Sequence, residues 1–416
     1  MHLYEIPLIF SLVGLALYTV LAGADFGAGL WQLSAGSGPS ATRIRDHAHN
    51  SMAPVWEANH VWLIFVLTVV WTAYPVAFGS IASTLSVPLL IAAIGIIFRG
   101  ATYALRAGAS ASRELRVIDT TFSLSSILTP FALGAAIGGI ASRRVPVGNA
   151  AGHLFSSWLN PTSILVGALA VATAAYLAAV FLSADAVRLG QLDLVRQFRA
   201  RALGSGLVAG AIALGGLAVL HSDAHLLYQE LVDGDGRVGL LVSILAGLST
   251  LALVWRSRFE LARYSAALAV AAIIAGWALA QSPTLLPGLT VKQAAAPHDT
   301  LVAVVIAVIA GGAVLFPSLA LLFRLLLEGR LDHAPSIAPP PRLGRAVLSG
   351  SAPGLLARSA AGCLVGGVGF LTVARASWAH AIGVAFLLGF IVLGFVATEP
   401  SELARNAIDG RRGDCD

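Results

Sequence analysis

Apolar residues in this chain gather in long blocks instead of alternating with polar ones. Blocks close to the roughly 20 residues that cross a bilayer predict helices at 7–31, 52–77, 82–104, 117–141, 160–184, 203–221, 238–255, 264–280 and 300–326. Two more blocks, 354–373 and 376–398, predict a hairpin of helices. The blocks are rich in Leu, Ala and Gly and lack the ten-residue in–out alternation of a membrane barrel, so strands are not expected. The expected fold class is an all-α integral membrane protein, a polytopic bundle of nine transmembrane helices with a two-helix C-terminal extension. The first block has no Lys or Arg before it and is too long for the apolar core of a signal peptide, so it reads as a retained helix.

Polar stretches between blocks set the organisation. Residues 1–326 form one nine-helix domain. Residues 327–353, with Pro339-Pro340-Pro341, read as an extended inner linker, and 354–416 as an appended hairpin with a charged tail. No internal repeat and no nucleotide-binding glycine pattern occurs.

Composition agrees with the block pattern: 57% of residues are apolar, 11% are charged against about 25% in soluble domains, and mean hydropathy is +0.83. Orientation follows from the cations. With the N-terminus outside, the outer loops hold five of the 26 Lys and Arg residues (Arg143, Arg144, Arg237, Lys292, Arg375), which leaves 21 at the inner side. The net charge of +5 thus reflects membrane sidedness, with no sign of a nucleic-acid groove. The cysteines, Cys363 and Cys415, fall in different environments, which argues against a disulfide, and no Cys-x-x-Cys-His is present for covalent haem.

Candidate chemistry lies where ionisable residues interrupt the blocks. Such groups cost at least about 2.5 kcal/mol at the bilayer centre and are usually turned inward and used. From a rise of 1.5 Å per residue, Asp25 lies about 9 Å, Glu57 about 7–8 Å and Arg99 about 9 Å from the inner ends of the first three predicted helices, with Asp119 nearer the inner surface. In Pro54-Val-Trp56-Glu57-Ala-Asn59-His60-Val-Trp62, Trp56, Asn59 and His60 share one helical face and Glu57 neighbours His60. If Pro54 opens this helix, the dipole favours an ionised Glu57. The cluster suits either a proton path or charge neutralisation, with Arg99 pairing one carboxylate while its head snorkels to the inner interface. Glu57-x-x-His60 is half of a di-iron motif, but the second half is missing. A bis-histidine haem would have to recruit His380 from the appended hairpin.

Several motifs carry a resemblance. Gly23-Ala-Asp25-Phe-Gly27-Ala-Gly29, Asn50-Ser-Met-Ala-Pro54-Val-Trp56-Glu57-Ala-Asn59-His60-Val-Trp62, Phe98-Arg99 with Tyr103 and Arg106, and Gly276-Trp277-Ala-Leu-Ala-Gln281-Ser-Pro283 closely resemble subunit II of the cytochrome bd-type quinol oxidases over about the first 326 residues. The resemblance implies a nine-helix subunit in a bacterial cytoplasmic membrane, beside a haem-bearing subunit I that oxidises quinol and reduces dioxygen to water. It implies no haem or metal in this chain, with haems b and d in the partner. It leaves room for a structural quinone or lipid, and for a small single-helix subunit. Carried over by position, Glu57 comes first on a proton route, then Asp25, with Asp119, Arg99 and His60 in support. Trp56, Asn59, Trp62, Gly27 and Gly29 belong to the structural motif. Glu57 stands where some members have Asp, and His60 where some have Gln. The terminal hairpin departs from the nine-helix pattern. Two rivals stand beside this reading: an ion-coupled secondary transporter, which predicts broken helices in two related halves, and a scaffold whose polar cluster only packs.

Overall fold

The computed structural model describes residues 2–106, 112–327, 355–373 and 377–397; within these ranges some side chains, among them those of residues 53–58, 103, 104, 106 and 380, are outside the description. The proline-rich linker predicted at 327–353 lies, apart from residue 327, outside the described residues, as does the part of the predicted 354–416 segment that follows residue 397. Two compact units result, Met1–Ala320 and Leu321–Asp416.

In the first unit a single 3-10 turn at Leu3–Glu5 leads into α1 (Ile6–Leu33), α2 (Pro39–Ala73), α3 (Pro75–Thr84), α4 (Ser86–Arg106), α5 (Ser112–Ala141), α6 (Pro161–Arg188) and α7 (Leu192–Asp223). Then come α8 (His225–Val232), α9 (Arg237–Trp255), α10 (Phe259–Gln281), a two-stranded hairpin of β1 (Thr284–Leu286) and β2 (Leu289–Thr290), α11 (Val291–Ala294) and α12 (His298–Leu327). A helix underlies each of the nine predicted blocks. Among the described residues, seven helices are long and apolar enough to cross a membrane, or eight if α3 and α4, bent by 82°, make one crossing. The apolar part of α2, Asn59–Ala73, is shorter than that.

Differences from the sequence reading have local causes. Helix α2 begins at Pro39, so Pro54 does not open it and the N-terminus of α2 is not at Glu57. The early start is held by packing, because Ile44, Ala48 and Met52 enter the main apolar cluster with Leu194 and Phe198 of α7. Likewise α7 begins eleven residues before its predicted span, because Leu194, Phe198 and Ala202, spaced by four, bury one face. Arg196, Arg199 and Arg201, expected in a loop, therefore stand on a helix. The small β-hairpin, not expected from the block pattern, turns at Gly288 with a φ of +76°, a conformation that glycine adopts without strain.

The core centres on α6. Asn160 caps it, accepting from the Ser163 amide at 3.0 Å, with Pro161 in the first turn. Its residues Leu177, Val180 and Leu182 pack against α1, α2, α7 and α10. Small residues let the backbones approach: a Cβ added at Gly27 of α1 would lie 1.9 Å from the Ala174 carbonyl oxygen of α6. In the second unit α13 (Leu355–Val373) and α14 (Ser377–Ala397) form an antiparallel pair, with Phe370 and Phe386 stacked at 6.0 Å and Gly389 beside the half-buried Cys363.

Candidate functional site

Asp25 and Arg99 meet in the interior of the first unit, both 0% exposed. Arg99 engages the carboxylate side-on: Nε donates to Oδ2 at 3.0 Å and Nη2 to Oδ1 at 2.6 Å. Nη2 also donates to the Asp25 carbonyl oxygen at 2.6 Å, and Nη1 donates to Ser126 Oγ on α5. Ser126 Oγ in turn donates to the Phe122 carbonyl oxygen at 2.6 Å. The guanidinium also lies against the rings of Phe122 at 4.1 Å and Phe26 at 5.0 Å. From α2, Asn59, also 0% exposed, donates Nδ2 to Asp25 Oδ2 at 3.3 Å.

The site thus joins α1, α2, α4 and α5. Its compactness depends on Gly29, where a Cβ would lie 2.1 Å from Ser126 Oγ and 3.1 Å from Arg99 Nη1. An ion pair removed from water is tolerated only when its geometry is good and its remaining donors are met. Here the pair meets side-on, and Nε, Nη1 and Nη2 of Arg99 each donate a hydrogen bond. Arg99 does not snorkel to an interface; its head is wholly inside the protein.

The other sequence candidates are placed as follows. Trp62 is 8% exposed and packs with Tyr18, Ala22, Phe26 and Ala174, its ring 6.1 Å from those of Phe65 and Phe316. His60 is half-buried on α2 and Asp119 half-buried on α5, seven residues before Ser126. Trp56 and Glu57 lie on α2, but their side chains are outside the described residues, as are those of Tyr103, Arg106 and His380. Among the described residues no three His, Cys, Asp or Glu side chains converge as a metal site would require.

Sequence reasoning missed Ser126 and Phe122. A signal existed: Ser123, Ser125, Ser126 and Thr129 are buried polar residues on one apolar helix, α5. Also missed was Asp185 of α6, 7% exposed, which accepts from Arg263 Nη2 of α10 at 2.6 Å. At the far end of α7, Asp223 accepts from Arg144 at 2.9 and 2.7 Å and from the Thr162 amide and hydroxyl at the start of α6. That hydrogen bond to Asp223 pushes the Arg144 guanidinium above its ordinary pKa.

Residues 3–326 match the family described as Cytochrome bd terminal oxidase subunit II. The chain belongs to that family. Among subunit II relatives, the cytochrome bd ubiquinol oxidase subunit 2 of Bacillus subtilis (strain 168) is 27% identical over 157 residues, 35% of this chain and 43% of the relative. The cytochrome bd-I ubiquinol oxidase subunit 2 of Escherichia coli (strain K12) is 26% identical over 235 residues, 53% of this chain and 59% of the relative. The aligned stretches thus span about half the length of these relatives. A chain of the bd oxidase structure from Geobacillus thermodenitrificans superposes with a TM-score of 0.67 at 25% identity, covering 79% of this chain and 99% of that one. The subunit II match ends at residue 326, so α13 and α14 lie beyond it.

Proposed function

We propose that this chain is the non-haem subunit of a quinol:oxygen oxidoreductase. It supports a haem-bearing subunit I and delivers protons from the cytoplasmic side to the reduction of dioxygen there. Family membership sets the class. The observation that carries the site is the wholly buried Asp25–Arg99 pair, because ionisable groups inside a membrane protein are rare, face its interior and mark functional sites by default. Asp25, held by Arg99 and Asn59, is already neutralised by charge, so it shapes the field while Glu57 carries the proton. Asp119 stands nearest the cytoplasmic mouth and His60 flanks Glu57.

In this reading the first 326 residues cross the membrane nine times, α2 and the bent α3–α4 pair supplying two crossings, with the N-terminus outside. Residues 327–353 are a cytoplasmic linker and 354–416 a hairpin with a charged tail. The haems b and d belong to the partner, quinol is the substrate of the whole complex, and no turnover is expected from this chain alone.

Absorption spectra of the purified chain, alone and with the proteins that co-purify, test the assignment. Haem bands and quinol-dependent oxygen uptake should appear only with the partner. Substrate flux by the isolated chain in liposomes, without any oxidase partner, would instead favour a transporter.

A further inference from the structure

Three polar atoms on the helices that hold the Asp25–Arg99 pair are sealed from solvent, and none of them has a hydrogen-bond partner among the described residues. Asn59 Nδ2 donates to Asp25 Oδ2, which fixes the amide because a carboxylate oxygen only accepts. Its Oδ1 is then left with no donor among the described residues. Tyr18, seven residues earlier on α1 and 5% exposed, likewise buries its hydroxyl with no partner. Seven residues are nearly two turns, so Tyr18 is on the Asp25 side of α1, about 10.5 Å further toward the helix N-terminus. Its ring packs in one cluster with Trp62 and with Phe26, the ring that lies against Arg99.

A third such atom lies on α5. Thr129 is 0% exposed and its Oγ1 has no partner. It sits three residues beyond Ser126, against Gly95 of α4, where a Cβ would be 2.2 Å away. Gly95 precedes Arg99 by one turn, and Leu133, further along α5, packs against the Tyr18 cluster. Tyr18 and Thr129 therefore stand beyond the ion pair, away from the end where Asp119 lies, and Asn59 stands at the pair itself.

Buried polar groups that no protein atom satisfies are generally met by ordered water. We propose that internal water bonds Asn59 Oδ1, Tyr18 Oη and Thr129 Oγ1, extending a hydrated track from the ion pair along α1, with Tyr18 as the residue that positions it. This rests on the proton-delivery reading above. A hydroxyl suits the task because it accepts one hydrogen bond and donates another. A proton arriving on one side of Tyr18 Oη is matched by one leaving on the other, and rotation of the O–H restores the start.

The test uses the complete oxidase complex containing this chain, imaged at a resolution that shows ordered water. Density within about 2.6–3.2 Å of Tyr18 Oη and Asn59 Oδ1 is expected. Tyr18→Phe should lose the peak at Oη and slow oxygen reduction about tenfold with haem content retained and a larger solvent isotope effect. Absence of both peaks in the native map overturns the proposal, and that map needs no variant to fold. Peaks with native turnover and isotope effect in Tyr18→Phe also overturn it, since the water would then only fill space. Peaks together with unchanged turnover in Glu57→Gln would sink the proton-delivery reading while leaving the water site; slow Glu57→Gln turnover without peaks would sink the water site alone.

Discussion

At the scale of single residues, the neutralising pair dominates. Arg99 donates to Asp25 and Ser126 and lies against the rings of Phe26 and Phe122, all inside the protein. Removing one member of such a pair leaves the other charge uncompensated, a loss of about 3–5 kcal/mol. Arg99→Gln should therefore cut the yield and thermal stability of the assembled complex sharply. Asp25→Asn combined with Arg99→Gln should recover part of the loss, because the pair is then replaced by two neutral groups. If the double variant loses, relative to the native protein, the full sum of the two single losses, the two side chains are not coupled as described. The sequence placed Asp25 and Arg99 at one depth from helical rise alone. It could not show that they bond side-on, nor that Ser126 and Phe122 complete the shell, because lateral helix contacts are set by packing that no single sequence displays.

At the scale of helices, the approach of α1 to α6 decides whether the site can close. Any Cβ at Gly27 would overlap the Ala174 carbonyl, whereas Gly210 of α7 has nothing within 4 Å. Gly27→Val should force α1 and α6 apart and lower the melting temperature of the complex by many degrees. Gly210→Ala, which meets no neighbour, should leave it unchanged. Equal effects of the two would mean that close α1–α6 packing does not matter. Helix existence was legible here from block length, but helix ends were not. The block rule reports only where apolar runs begin, so it missed the amphipathic extensions of α2 from Pro39 and α7 from Leu192. In those stretches, charged residues on the outward face masked the buried ones at spacings of four, such as Ile44 and Ala48 or Leu194 and Phe198.

At the scale of the molecule, the family match ends at residue 326, before the appended hairpin. The combined motifs around Asp25 and Glu57 made the family readable from sequence because they set polar residues at fixed helical spacings where lipid would otherwise exclude them. Asp185 escaped notice because it sits near the end of α6, where an acidic residue looks like an ordinary helix terminus; only folding brings Arg263 to it. The central claim is that carboxyl groups in the opening helices supply protons to a reaction housed in a neighbouring subunit. Its most direct test is steady-state oxygen consumption by the purified complex carrying Glu57→Gln, with haem content checked by spectrum. The account predicts turnover at least about tenfold slower with haem content at the native level; native turnover in that variant would contradict it.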